Sequence, residues 1–249
     1  MVLRVATPAR ETFFFMHIMK TAGTSLVSAM KANFDPAKVY PTAESGPAHA
    51  EQYWKVDALR ASLPETIGTV ELYCGHFPYV VRDLVDASTV ITLLRDPVDR
   101  VVSHLRHCER NFERHRGKAL EEVYEDEWHR PCLFTNYQVK QFALPLDERL
   151  KGHIDGLEID QEHFDTAIDR LHDVDHLGLV ERYEEFVGEV FSRHGWVRFD
   201  DRRLQTSPPA NLDLPDSFRR RIAADNEADR EFYTRAVELV DQRSRAGDR

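Results

Sequence analysis

ETFFFMHIMKTAGTSLVSAMKANF, Glu11 to Phe34, decides the fold class. Its opening nine residues, ETFFFMHIM, are almost continuously apolar and aromatic, as a strand buried on both faces of a parallel sheet must be. KTAGTS, Lys20 to Ser25, follows at once, and LVSAMKANF can then run as a helix until Asp35-Pro36 stops it. The order is strand, small-residue loop, helix. Working outward, TVELYC (Thr69 to Cys74) and STVITLLR (Ser88 to Arg95) read as further parallel strands, and DHLGLV (Asp175 to Val180) as a fourth. Helical patterns separate them, among them AEQYWKVDALRASL, FDTAIDRLHD and ERYEEFVGEVFSRHG. Such alternation predicts an α/β fold in three layers, a central parallel sheet flanked by helices.

The chain has 249 residues, 42% hydrophobic and 31% charged, without a 20 to 50 residue repeat or a Ser/Gly-rich linker, so a single domain over 1–249 is expected. A net charge of −10 argues against broad electrostatic binding to nucleic acid or an anionic membrane, while leaving room for a local basic pocket. Three cysteines, Cys74, Cys108 and Cys132, are too few and too odd in number for a disulfide framework. No apolar run approaches the roughly 20 residues of a spanning helix, and MVLRVATPAR carries no signal-peptide core. A cytoplasmic protein without an integral membrane segment is the expectation.

The clearest helix starts at Asp96-Pro97, a capping residue followed by proline, and is expected to end near Gly117. Val98, Val101, Val102, Leu105 and Phe112 form one stripe at helical spacing. Arg100, Ser103, His107, Arg110 and Arg114 form the opposite one, read as a solvated face except for Arg100 and Ser103, which lie nearer the strand end. Farther on, Leu214 to Arg245 reads as one or two charged helices with Ile222, Phe232, Val237 and Val240 turned inward.

KTAGTS has what a phosphate cradle requires: small residues for close backbone approach, hydroxyls at Thr21, Thr24 and Ser25, a lysine, and a helix N-terminus with unpaired N–H groups. It is not a Walker A loop, because Lys20 stands at its beginning rather than its end. A plain strand-to-helix turn fits the segment equally well when it is taken alone. The second piece is LLRDPVDRVVSHLRH, Leu93 to His107, where Arg95 leaves a strand and Ser103 follows in the second helical turn. A guanidinium fork and a hydroxyl suit a second phosphate, the competing reading being an Arg95–Asp99 ion pair with Ser103 on the surface.

With both pieces in view, the chain resembles the PAPS-dependent sulfotransferases, in particular the branch holding heparan sulfate 2-O-sulfotransferase and soluble bacterial relatives. The resemblance rests on FFFMHIMKTAGTSL, YCGHFPY, ITLLRDPVDRVVSHLRH, TNYQVKQFAL and LGLVERYEEFV, with a weaker echo in DNEADREFY, and spans about residues 12 to 235. It implies a P-loop-like α/β fold that binds 3′-phosphoadenosine 5′-phosphosulfate (PAPS) without a metal and transfers its sulfuryl group to an acceptor hydroxyl, on a carbohydrate or a small molecule. In that family the first loop holds the 5′-phosphosulfate, which maps onto Lys20, Thr21, Ala22, Gly23, Thr24 and Ser25. The second motif holds the 3′-phosphate, which maps onto Arg95 and Ser103. Met19 stands where proline is frequent in the family and Ala22 where glycine is, so position 22 is expected to keep a negative φ.

A hydroxyl acceptor must lose its proton as it attacks sulfur. His76, in YCGHFPY just beyond a strand end, lies where a parallel sheet gathers its ligand loops, and an imidazole near its reference pKa of roughly 6.5 suits a general base. Without the resemblance it would pass for a loop or packing histidine; the matching glycine-histidine segment supplies the base in the 2-O enzyme. Lys20 has a second role to fill, stabilising charge on the oxygen that bridges sulfur and phosphorus. His104, Cys108, His129 and Cys132 are four candidate zinc ligands at loose spacing, with helix residues and buried thiols as the preferred reading, so no metal is expected. The stretch 109–128 reads either as a lid over the acceptor or, preferably, as a solvated helical hairpin. The competing function is a nucleotide-binding protein or phosphotransferase of P-loop type without sulfuryl transfer. The phosphotransferase would call for magnesium and a Walker-type lysine, and the non-catalytic binder would have no use for a base at His76.

Overall fold

A computed structural model of the protein describes residues 11–42, 46–145, 157–198 and 214–247. In chain order the elements are β1 (Phe13–Met16), α1 (Gly23–Lys31), β2 (Val39–Tyr40), α2 (Gly46–Trp54), α3 (Val56–Thr66), β3 (Leu72–Gly75), α4 (Val81–Leu84), β4 (Thr89–Leu94) and α5 (Pro97–Asn111). They continue with α6 (Leu120–Tyr124), α7 (Tyr137–Ala143), α8 (Gln161–His172), β5 (His176–Leu179), α9 (Tyr183–His194), α10 (Asp216–Asp225) and α11 (Glu227–Gly247).

The strands form one five-stranded sheet in the order β2-β3-β1-β4-β5. Every pairing is parallel, with Phe13 level with both Leu72 and Thr89. The near-continuous apolar reading of β1 is thereby explained. Phe13 and Phe15 point to one face, where they pack with Leu26, Val27 and Met30 of α1 and Val187, Val190 and Phe191 of α9. Phe14 and Met16 point to the other, into a core that includes Val101, Val102 and Leu105 of α5, Phe142 of α7 and Phe232 of α11. Alternate residues of one strand thus feed two cores, and the fold is an α/β sandwich of three layers.

The chain leaves β1 toward β2 and β3 on one side and toward β4 and β5 on the other, so the sheet's topological switch point lies at β1. The three segments that carry the motifs all follow carboxyl ends there: His17 to Lys20 after β1, His76 after β3 and Arg95 after β4.

Several expectations are corrected. α5 ends at Asn111, with a short 3-10 turn at Glu113–His115 before Gly117, because Phe112 turns extended at φ −106° and ψ 121°. Phe112 is 39% exposed rather than inward, and Arg100 and Ser103, set apart from the solvated face, are buried because α10, α11 and the 130–137 segment cover that side of α5, so the surface alternative for Ser103 does not hold. Lys55 splits AEQYWKVDALRASL into α2 and α3. The C-terminal stretch is two helices, with Ile222 and Phe232 buried and Val237 and Val240 half-buried against the core. Sequence reading missed β2, whose two residues, Val39 and Tyr40, are too few to show a pattern.

Candidate active site

The loop after β1 is shaped by two left-handed residues, Lys20 at φ 68° and Ala22 at φ 61°. The expected negative φ at Ala22 is therefore wrong: the turn demands a left-handed residue there, and alanine adopts it at a cost of about 1 kcal/mol. Left-handed residues on either side of Thr21 curl the backbone sharply ahead of α1, and tight turns of this kind are where backbone N–H groups meet anions. Ala22 also serves as the N-cap of α1 and offers no side-chain hydrogen bond, whereas Asp96 and Asp160 cap α5 and α8 through their carboxylates. The positive end of α1 is thus left for a ligand. The hydroxyl of Thr21 is buried and donates to the Ile18 carbonyl at 2.8 Å, so it braces the loop from inside.

Gly23, the first residue of α1, is set by His17: a Cβ there would stand 2.1 Å from the His17 ring. His17 in turn meets the Tyr53 hydroxyl at 2.5 Å through Nδ1, and its ring centroid lies 4.4 Å from that of His76. Gly75 is tied as closely, since a Cβ would come within 2.4 Å of the Phe77 ring and 2.8 Å of the Tyr53 carbonyl. Both glycines allow the β1 and β3 ends to converge.

His76 Nδ1 lies 2.6 Å from the His17 carbonyl oxygen. A carbonyl only accepts, so the proton sits on Nδ1 and Nε2 carries the lone pair. Burial, opposed by that hydrogen bond and aided by the Lys20 charge, brings its pKa down to about 4, well below the value expected of an ordinary loop histidine. Lys20 falls to about 8, chiefly through burial and then through the charge of Arg110, with Arg95 and Arg100 adding to it.

His76, Lys20 and Thr24 share a cavity of about 990 Å3 with Met19, Trp54 and Leu133, and with the side chains of Phe112, Arg114, Trp128 and His129 on its outer wall. The stretch 109–128 keeps most of its charged residues exposed, as a solvated hairpin would, yet it supplies part of that wall through Phe112, Glu113, Arg114 and Trp128 and buries Val123 and Tyr124 of α6 in the core. His17, His104 and His107 also line the cavity. Burial lowers all three, His107 to about 4, so they are neutral at neutral pH.

Arg95 stands beside the same loop, its Nη1 donating to the Lys20 carbonyl at 3.3 Å. It does not pair with Asp99, which meets Arg219 at 3.3 Å. Sequence reading missed the residue that fixes Arg95. The Gln138 amide grips its backbone from both sides, Oε1 accepting from Arg95 N at 3.1 Å and Nε2 donating to Arg95 O at 2.9 Å. Arg95 and Ser103 lie off the lining of the large cavity, and Ser103 is buried within α5. Among the described residues His104, Cys108, His129 and Cys132 do not gather as a ligand set. His129 instead joins His115 and Asp126, whose ligating atoms lie within 4.8 Å of one another, with Arg114 Nε donating to His115 Nε2 at 3.1 Å and His129 Nδ1 lying 2.8 Å from Asp126 Oδ1. All three cysteines are buried free thiols.

Residues 4–208 match the Sulfotransferase family. The chain belongs to the sulfotransferase family. No curated protein matches it. Among solved structures it is similar to a sulfotransferase from Alicyclobacillus acidocaldarius, with 15% identity over 90% of this chain and 96% of that one at a TM-score of 0.43. A mouse sulfotransferase, SULT7A1, described in complex with PAP, is 13% identical over 86% of this chain and 64% of its own, at a TM-score of 0.38. No helix of this sulfotransferase, among the described residues, is long and apolar enough to cross a membrane.

Proposed function

We propose that the chain transfers a sulfuryl group from PAPS to an acceptor hydroxyl, with His76 as general base. One observation carries the reading: a neutral imidazole with its lone pair on Nε2 shares a cavity with Lys20 and the uncapped end of α1. The donor supplies a sulfuryl group on a phosphate leaving group. Toward it, the N–H groups of Ala22 to Ser25 and the hydroxyls of Thr24 and Ser25 hold the 5′ end, and Arg95 and Ser103 hold the 3′-phosphate. The loop suits such an anion, for its residues carry a lysine and no carboxylate. Lys20 neutralises the phosphosulfate and stabilises the charge that develops on its bridging oxygen. His76 Nε2 takes the acceptor proton, while the His17 carbonyl holds the imidazole in that tautomer. Residues 1–249 act as one domain in this reading, and the buried free thiols support a reducing, cytoplasmic setting.

Calorimetry tests it directly. Adenosine 3′,5′-bisphosphate (PAP) should bind at least about tenfold more tightly than ADP or AMP without magnesium, because a charge-assisted hydrogen bond contributes about 1.5–3 kcal/mol. Equal affinities, or strict dependence on magnesium, overturn the proposal.

A further inference from the structure

We infer that His115, Asp126 and His129 form a binding site for a divalent transition metal, Zn2+ in the first place, built into the outer wall of the large cavity. None of the three belongs to the residues proposed to hold the donor, and the site stands whichever reaction the cavity serves. Three segments meet there. His115 closes the short turn after α5, Asp126 follows α6, and His129 opens the turn at 130–134. Both imidazoles are buried, at 4% and 3% exposure, and the ligating atoms of the three residues lie within 4.8 Å of one another. The carboxylate is fixed before any ion arrives. Its Oδ1 accepts from Trp128 N at 3.1 Å and His129 N at 2.8 Å, while Oδ2 faces His115 Nε2 at 3.1 Å.

What points to a metal is a conflict that no placement of protons resolves. His129 Nδ1 has Asp126 Oδ1 at 2.8 Å and Arg114 Nη2 at 2.8 Å. His115 Nε2 has Asp126 Oδ2 at 3.1 Å and Arg114 Nε at 3.1 Å. A ring nitrogen that carries a proton serves the carboxylate and opposes the guanidinium, and one that carries a lone pair does the reverse. Two nitrogens and a carboxylate oxygen thus converge on a place where a cation, the Arg114 guanidinium, already lies. It is loosely held there, for the Arg114 side chain is 57% exposed and its approach to Asp126 is 3.3 Å, an ion pair of small worth in water. A divalent ion in its place makes all three atoms ligands of one centre, and the conflict is gone. Around zinc, with bonds of about 2.0–2.1 Å, tetrahedral neighbours stand about 3.3 Å apart, close to the 3.1 and 2.8 Å between carboxylate and imidazoles. Two histidine nitrogens beside one carboxylate also select zinc and its neighbours over magnesium or calcium, which take oxygen. Three protein ligands leave a fourth position to water, on a wall where His129 and Arg114 both border the cavity. Bound zinc fastens the turn after α5 to the 126–129 segment and releases Arg114.

The test is a calorimetric titration of the full chain, first dialysed against a chelator, with ZnCl2 and separately with MgCl2. One Zn2+ should bind per chain in the micromolar range or tighter, with no binding of Mg2+. Asp126→Asn and His129→Ala should each weaken zinc by at least about a hundredfold, more than loss of an outer partner of a metal site costs. Asp126→Asn keeps an amide oxygen for the Trp128 and His129 N–H groups, so it tests the ligand and spares the turn; it decides alone if His129→Ala does not fold. Arg114→Ala should tighten zinc about fivefold, because the competing ion pair is removed. A guanidinium that is the proper partner of these residues gives the opposite, a lower Tm in Arg114→Ala with zinc affinity unchanged or weaker, and that result overturns the inference. So does a parent chain that takes up no zinc, and so does zinc binding that survives Asp126→Asn, which places the ion on other histidines.

Discussion

His76 does its proposed work through one hydrogen bond and one depressed pKa. His76→Ala should lower turnover by roughly 10² to 10⁴, the span for loss of a general base, with PAP affinity nearly intact. Lys20→Ala should weaken both, since one ammonium serves bound phosphate and developing charge alike. The free enzyme's pH profile follows from the same two residues. The basic form of His76 is needed, so kcat/KM should fall on the acid side near pH 4, and the charged form of Lys20 is needed, so it should fall again near pH 8. A profile falling already at pH 6.5 would point to an exposed histidine instead. Ala22 offers a prediction of the opposite kind. At φ 61° glycine is the easier residue, so Ala22→Gly should stabilise the fold by about 0.5–1 kcal/mol, a rise of roughly 1–4 °C in Tm, and leave PAP affinity unchanged. An unchanged or lower Tm shows that the neighbouring contacts, not the residue, set the turn.

Between elements, the proposed second phosphate site depends on a chain of braces. Asp229 of α11 caps α7 by accepting from Gln138 N at 3.1 Å and Val139 N at 2.8 Å, and the Gln138 side chain then grips Arg95. Gln138→Ala should therefore narrow the preference for PAP over ADP about tenfold, because ADP lacks the 3′-phosphate that Arg95 is proposed to meet. A merely structural glutamine would weaken both nucleotides equally. This brace also shows where the sequence was legible. β1, β3, β4 and β5 could be read from their apolar runs, and the Lys20 loop from its small residues, because those signals are local. TNYQVKQFAL and DNEADREFY were visible only as family likeness: their work, Gln138 on Arg95 and Asp229 on α7, joins residues some 43 and 90 positions apart. The enclosure of Arg100 was illegible for the same reason. A helical wheel assigns polar residues outward, and nothing near Arg100 in sequence announces that the Leu133 carbonyl and the Tyr137 ring enclose it.

Across the whole molecule, the cavity proposed to serve the reaction also contributes to how the fold responds to acid. His17, His76, His104 and His107 all have folded pKa values below the reference of 6.5, because burial disfavours their charged forms. In the unfolded chain they titrate near 6.5, so between about pH 6.5 and 4 the unfolded state binds protons that the folded state refuses. Stability from these groups is therefore fully present above pH 6.5 and falls steadily as pH drops toward 4. Two carboxyls work the other way. Burial raises Asp96 and Asp229, so each adds stability as pH falls through its range, but two groups oppose seven, since burial also lowers His115, His176 and His194 outside the cavity. Asp126, held at about 2 by its hydrogen bonds from His129 and by Arg114, loses its contribution only below the window. The expected result is a Tm that falls between pH 7 and pH 5. His104 is the clean probe, being 3% exposed and outside the proposed chemistry. His104→Gln should shrink the difference between the two Tm values, whatever it does to either one, because it removes one titrating group from the cavity. A Tm that is flat or rising from pH 7 to pH 5 in the parent protein, or an undiminished difference in the variant, would mean that the imidazoles are hydrated and the cavity open to bulk water.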